Sequence, residues 1–156
     1  MTIAGCEMEI FRKAATEDGL SREEILQALQ ESLQGRTLRH VLILPPDFTR
    51  YHSNAGFLTN AYYHMLQDMG AEVDIMPALG THVPVTCEQA EKMFGDIPYE
   101  KLIPHNWRTD VVKLGEVPAD YMEEITGGLW HESIDVEINR WVMDTKYDLI
   151  ISPGQV

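Results

Sequence analysis

Between residues 40 and 79 the chain changes its apolar rhythm twice, and this restricts the fold more than any other feature. His40-Val41-Leu42-Ile43-Leu44 is a short apolar run closed by Pro45-Pro46, as suits a buried strand that must end there. From Asn54 the spacing becomes helical, with Phe57, Leu58, Ala61, Tyr62, Met65, Leu66 and Met69 on one face up to Gly70. Glu72 to Leu79 then alternates in part like a strand, weakened near its end by Pro77. Strand, helix, strand in that order predicts a right-handed crossover joining two parallel strands.

The alternation extends in both directions. Upstream, Ser21-Arg22-Glu23-Glu24 reads as a capping box, and Ile25, Leu29 and Leu33 follow at four-residue intervals until Gly35. Downstream, Thr86-Cys87-Glu88-Gln89 opens a short helix with Ala90, Met93 and Phe94 inward and Gly95 at its end. Val111–Leu114, Ile134–Ile138 and Tyr147–Ile151 read as further strands, the second with one wet face. Val117 to Ser133, holding Gly127-Gly128, reads as the longest loop. A length of 156 residues suits one core of ordinary size. The expectation is one α/β domain over residues 1–156: a Rossmann-like open sheet, mainly parallel, with helices on both faces.

Charge narrows the partners. A formal net charge of -13 repels phosphate backbones and anionic lipid surfaces, so neither nucleic acid nor membrane is expected as a partner. An anionic substrate must instead meet locally placed cations. No apolar run approaches the roughly 20 residues that span a bilayer. Cys6 and Cys87 lie far apart and form neither a redox pair nor a ligand cluster, which reads as two reduced thiols in a cytoplasmic protein. Ile3-Ala4-Gly5-Cys6 looks like a lipoprotein processing box, but no basic or apolar segment precedes it.

In open parallel sheets ligands gather beyond the carboxyl ends of the strands, so the residues after each strand come first in any functional reading. Asp47-Phe48-Thr49-Arg50 follow the first strand, and Gly80-Thr81-His82-Val83-Pro84 follow the second. Parallel strands bring both segments to one edge. A cation, a carboxylate, hydroxyls and an imidazole there suit acid–base work on a small oxyacid. His82, Arg50 and Asp47 are the catalytic candidates, and Thr49, Arg50, Gly80 and Thr81 the substrate-binding ones. In this reading His82 accepts a proton, since imidazole titrates near neutral pH. Arg50 offers a planar fork to a carboxylate, while Asp47 orients that guanidinium or binds a substrate hydroxyl. Plain structural readings stand beside these: Asp47 and Thr49 as a turn cap, Gly80 as a backbone requirement, Pro84 as the approach to a helix.

Other residues carry weaker signals. His52 and His64 flank the crossover helix, but with His82 they match no standard zinc spacing. His105 and Trp107 follow another strand, with loop packing the stronger reading for Trp107. Gly127-Gly128-Leu129-Trp130-His131 reads either as a hinged flap or as a buried corner, and Met65 and Met69 read as core. No Gly-x-Gly-x-x-Gly segment follows any strand, which disfavours a nicotinamide dehydrogenase.

Taken together, the two strand-end segments resemble those of the nickel-pincer lactate racemases and their 2-hydroxy-acid epimerase relatives, over most of the chain. The family's Asp-His-Thr-Arg-Pro is matched by Asp47, Thr49 and Arg50, and its Gly-Thr/Phe-His-Arg-Pro by Gly80, Thr81, His82 and Pro84. Asp148-Leu149-Ile150-Ile151-Ser152 resembles the family strand that precedes its next catalytic segment. Phe48, Tyr51 and Val83 depart from the pattern, standing where the family has histidine, proline and often arginine. The resemblance implies a racemase or epimerase of a lactate-like acid or sugar acid, in which hydride passes from the substrate's C2 to a nickel-pincer nucleotide and back to the opposite face. It implies His82 as one of two alternating bases, with Arg50 holding substrate, supported by Asp47 and Thr49. A second histidine, a cofactor-bearing lysine and a nickel-ligating histidine all follow the last strand in the family. The resemblance therefore implies that the cofactor-binding residues lie beyond Val156, a few residues after the strand that ends at Ile151. The chain is thus expected to be an incomplete, substrate-facing N-terminal domain whose partner is the missing C-terminal domain. By itself it is expected to hold neither metal nor cofactor and to be inactive. The alternative is a non-catalytic anion- or ligand-binding α/β module.

Overall fold

Two proline-closed strands and the helix between them do form the centre of the molecule. The computed structural model describes residues 9–154, so Cys6, the Ile3–Cys6 run and the chain end at Val156 lie outside the described residues. The elements run α1 (Arg22–Leu33), β1 (His40–Ile43), α2 (Ala55–Asp68), β2 (Glu72–Ile75), α3 (Cys87–Phe94), β3 (Val111–Val117), α4 (Ala119–Ile125), β4 (Ile134–Asn139) and β5 (Leu149–Ile151).

β1 is the middle of a three-stranded sheet in the order β2-β1-β5, parallel throughout. The fold class is therefore the expected one, a mixed α/β protein with a mainly parallel sheet. Pairing continues past β1, because the Pro45 carbonyl accepts the Ala78 amide at 2.7 Å and Pro46 bridges Ala78. This register sets the residues after Pro46 beside those after Ala78. At the other end of β1 the Asp148 carboxylate accepts the Arg39 and His40 amides at 2.7 and 3.0 Å, locking β5 to β1.

Val41, Ile43, Val73 and Ile75 share one sheet face with the residues of α2 and α3, and this is the core. Both capping boxes form as read, Ser21 with Glu24 and Thr86 with Gln89. Ala90, Met93 and Phe94 are buried and Gly95 ends α3. The inward face of α2 differs from the expected one. Thr59 and Tyr63 are buried with Ala61 and Leu66, whereas Phe57, Leu58, Tyr62 and Met65 are half-buried and Met69 is exposed. The rotation follows from Gly56: a Cβ there would lie 2.1 Å from the Met93 carbonyl oxygen, so α2 meets α3 along the Gly56 side. Thr59 is accommodated because its hydroxyl donates to the Ala55 carbonyl at 2.8 Å.

β3 and β4 do not join the parallel sheet but pair with each other as an antiparallel ribbon. Their pairing puts Lys113, Glu116, Asp135 and Glu137 on one face, where Lys113 bridges Glu116 and Asp135. Such a face cannot be buried in a parallel sheet. Ile134–Ile138 is exposed on the apolar side as well, apart from half-buried Ile138. The expected long loop from Val117 to Ser133 contains α4 instead. Gly127 and Gly128 terminate that helix with positive φ, the Gly128 amide reaching the Glu123 carbonyl at 2.8 Å. Among the described residues no helix is long and apolar enough to cross a membrane.

Candidate active site

Because β1 and β2 are parallel neighbours, their outgoing segments emerge together. Asp47 caps a tight turn at Phe48–Ser53, accepting the Thr49 amide at 3.1 Å and the Thr49 hydroxyl at 2.5 Å on Oδ1. Its other oxygen, Oδ2, meets His82 Nδ1 at 2.6 Å. His82 is itself set by a turn, its amide donating to the Leu79 carbonyl at 2.9 Å, with Gly80 between them at φ +56. The cap reading of Asp47 and the site reading are thus compatible, one oxygen serving each.

The electrostatics follow from burial. Asp47 is only 6% exposed, while the His82 side chain is 57% exposed. Burial pushes the Asp47 carboxyl up, but the bonds from Thr49 and His82 outweigh it and hold the group below the ordinary aspartate range. An ionised Asp47 accepts the proton of Nδ1, which leaves Nε2 as the acceptor on the neutral ring. Nε2 makes no hydrogen bond among the described residues.

Arg50 stands one turn beyond Asp47, its amide donating to the Asp47 carbonyl at 3.0 Å. Asp47 therefore anchors Arg50 through its backbone and His82 through its carboxylate. Among the described residues no salt bridge or side-chain hydrogen bond joins Asp47 to the Arg50 guanidinium, a contact the sequence suggests for it. Arg50 lines a cleft of about 410 Å³ at the carboxyl ends of all three parallel strands, formed by Leu44, Pro46, Ser53, Ala78 and Ser152–Gly154. It is the one charged side chain of that lining. Thr49 and Thr81 are exposed and, like Asp47, Gly80 and His82, are not among the residues that line the cleft; Asp47 and His82 stand at its margin through the turns that carry Arg50 and follow Ala78. Ser53 and Ser152 are site residues that sequence reasoning missed. The signal for them was positional: Ser152 directly follows β5, and Ser53 closes the turn that carries Arg50.

The remaining candidates lie elsewhere. His64 pairs with Asp96 at 3.0 Å on the outside of α2, and His105 Nδ1 meets the Asn139 amide at 2.9 Å at the end of β4. Trp107 is half-buried under the Arg108 guanidinium, 3.8 Å from its ring centroid. Cys87 is exposed at the start of α3 and unpaired among the described residues. A nickel-pincer nucleotide needs metal ligands, and among the described residues no three His, Cys, Asp or Glu side chains converge to hold a metal ion. These residues alone do not fit a nickel site.

Three comparisons bear on the family. The family model described as the lactate racemase N-terminal domain matches residues 6–156, nearly the whole chain. Among curated proteins none matches. Among solved structures, a Thermotoga maritima protein is similar with a TM-score of 0.78 at 23% identity, over 91% of this chain and 34% of that one. The lactate racemase apoprotein from Thermoanaerobacterium thermosaccharolyticum is similar with a TM-score of 0.52 at 20% identity, over 81% of this chain and 27% of that one. At these identities the likeness is one of fold. The chain spans about a third or less of the length of the two solved proteins.

Proposed function

The chain belongs to the lactate racemase N-terminal domain family, and on that premise we propose that it supplies one acid–base half of a 2-hydroxy-acid racemase or epimerase site. The observation that carries the reading is the 2.6 Å contact between His82 Nδ1 and buried Asp47. In this reading the Arg50 guanidinium grips the substrate carboxylate in the cleft, helped by the hydroxyls of Ser53 and Ser152. His82 Nε2 takes the proton of the substrate's C2 hydroxyl, and the Asp47 carboxylate stabilises the imidazolium so formed. When the opposite enantiomer forms, the complementary base delivers the proton to the regenerated hydroxyl, and in the reverse direction His82 does so. Asp47 acts through His82 and is a positioning residue, with Thr49 fixing it in turn.

The hydride acceptor of such a reaction would, in our reading, be a nickel-pincer nucleotide held by residues outside this domain. The work of this domain is confined to binding, orienting and moving one proton. The complementary base, the cofactor and the covering half of the site belong to a C-terminal domain, so the 156-residue chain by itself is expected to be inactive. A cytoplasmic location goes with a cofactor-dependent enzyme of this kind.

The test is His82→Ala in the intact protein, with interconversion of the D and L acids followed by chiral chromatography and binding followed by calorimetry. Turnover should fall on the order of 10³-fold while binding of the acid largely survives. If the domain only binds anions, there is no interconversion to lose, and binding alone will respond to changes at Arg50. Interconversion by the 156-residue chain alone would contradict the incomplete-site part of the reading.

A further inference from the structure

Tyr51 and His52, on the turn that carries Arg50, line a second cleft of about 510 Å³ between that turn, the start of α2 and the end of α3. Arg22 from α1 and Lys92 from α3 line it too. The Arg22 guanidinium lies over the Phe57 ring, 4.3 Å from its centroid. Lys92 Nζ sits 5.3 Å from the Tyr51 centroid and 5.8 Å from that of Phe48. Among the described residues neither cation has a salt bridge or a side-chain hydrogen bond.

That arrangement is unusual in a chain with 25 acidic and 12 basic residues. A cation resting on an aromatic face is held in place yet keeps its N–H donors for another group. One carboxylate also lines the cleft, Asp96, whose Oδ1 accepts from Asn60 at 2.9 Å and meets His64 Nε2 at 3.0 Å, and it makes no salt bridge with either Arg22 or Lys92. Asn54 adds an amide that caps nothing in its own helix. Two cations from different helices, both with free donors, match a group of two or more negative charges better than a single carboxylate.

We propose that this cleft binds the phosphate moiety of a small molecule, with Arg22 and Lys92 as the charged ligands and His52 and Asn54 as further donors. It is separate from the Arg50 cleft, and the proposal stands whether or not the racemase reading does. Phe48 and Tyr51, the two residues that depart from the family pattern in this turn, are the ones that seat Lys92.

The probe is inorganic pyrophosphate, titrated at about 0.15 M salt and followed by NMR through the Arg22 side-chain Nε–H and the backbone amides of residues 91–96. Saturable binding tighter than about 1 mM is expected, weakened at least about tenfold in Arg22→Gln and in Lys92→Gln and little changed in Arg50→Gln. Both substituted residues are exposed, and a thermal melt of each variant checks that the fold is intact. Shifts that never saturate, or binding indifferent to Arg22 and Lys92, or binding abolished by Arg50→Gln alone, would each overturn the assignment.

Discussion

The Asp47 carboxylate and the His82 imidazole meet at 2.6 Å across neighbouring parallel strands, one group buried and the other open to solvent. Thr49 makes this contact directional. Its amide and hydroxyl both donate to Oδ1, so the other oxygen is left for the ring. An asparagine at position 47 would have to keep its oxygen toward the Thr49 amide, which can only donate. Its NH₂ would then face His82 Nδ1.

Asp47→Asn is therefore expected to invert the tautomer, placing the ring proton on Nε2 where the substrate hydroxyl must be accepted. In the intact protein, kcat for interconversion should drop on the order of 10³-fold or more with KM little changed. The ring's ¹⁵N shifts should report a proton on Nε2 near neutral pH. A purely structural role for Asp47 predicts lost stability and an unchanged tautomer.

The same carboxylate makes the fold acid-sensitive. Its pKa is lowered in the folded protein, so its contribution is complete above the ordinary aspartate range, about pH 4, and disappears as pH falls through the lower folded value. Asp74, held low by Tyr147 and Lys146 against the opposing effect of burial, acts in the same direction. Urea unfolding followed from about pH 7 to about pH 3 should show stability falling with acid, and less steeply in Asp47→Asn. Parallel curves for the two proteins would remove Asp47 from the list of groups that matter.

Gly56 offers a test of packing in which two effects oppose each other. Alanine is the better helix former by about 1 kcal/mol, so an exposed site would gain from the change. Here the new Cβ would stand 2.1 Å from the Met93 carbonyl oxygen and 3.0 Å from Met93 Cγ. Backbone of α3 would have to move, at a cost of about 1–3 kcal/mol or more. Gly56→Ala should lower the urea midpoint without changing m by much, and an unchanged or raised midpoint would mean that α2 and α3 separate easily.

These contrasts show what could be read from residues alone. Both capping boxes, the proline-closed strand and the crossover were legible because each rests on local chemistry. The rim shared by Asp47 and His82 was legible too, since parallel strands leave no other place for segments that follow them. The pairing of those two residues was not, because it depends on the Pro46–Ala78 register rather than on either segment. The α2 face was misjudged for a related reason. Phe57, Leu58, Tyr62, Tyr63, Met65 and Leu66 make the helix apolar over a wide arc, and only the close approach at Gly56 selects the side that turns inward. α4 was hidden by its short apolar content, with Glu123 and Glu124 in its last turn and the glycine pair reading as loop.

If the cleft binds a substrate carboxylate as proposed, Arg50 decides whether it does so by shape or merely by charge. It is the lone charged side chain of a lining otherwise made of Leu44, prolines, serines and small residues, so nothing nearby replaces it. Lysine at this position would keep the charge but lose the planar pair of donors that matches two carboxylate oxygens. If the grip is bidentate, Arg50→Lys and Arg50→Gln should both raise KM and lower kcat/KM, lysine by about 10²-fold and glutamine by more, whereas a charge-only role leaves lysine near the parent value. A loss of about 10²-fold corresponds to about 2.7 kcal/mol, within reach of one charge-assisted pair and too large for screened attraction across an open cleft. Steady-state kinetics of the intact protein with a 2-hydroxy acid, at two salt concentrations, separates the cases: fork recognition leaves the lysine defect nearly independent of salt, whereas charge alone makes the parent and lysine proteins alike salt-sensitive and the glutamine protein much less so.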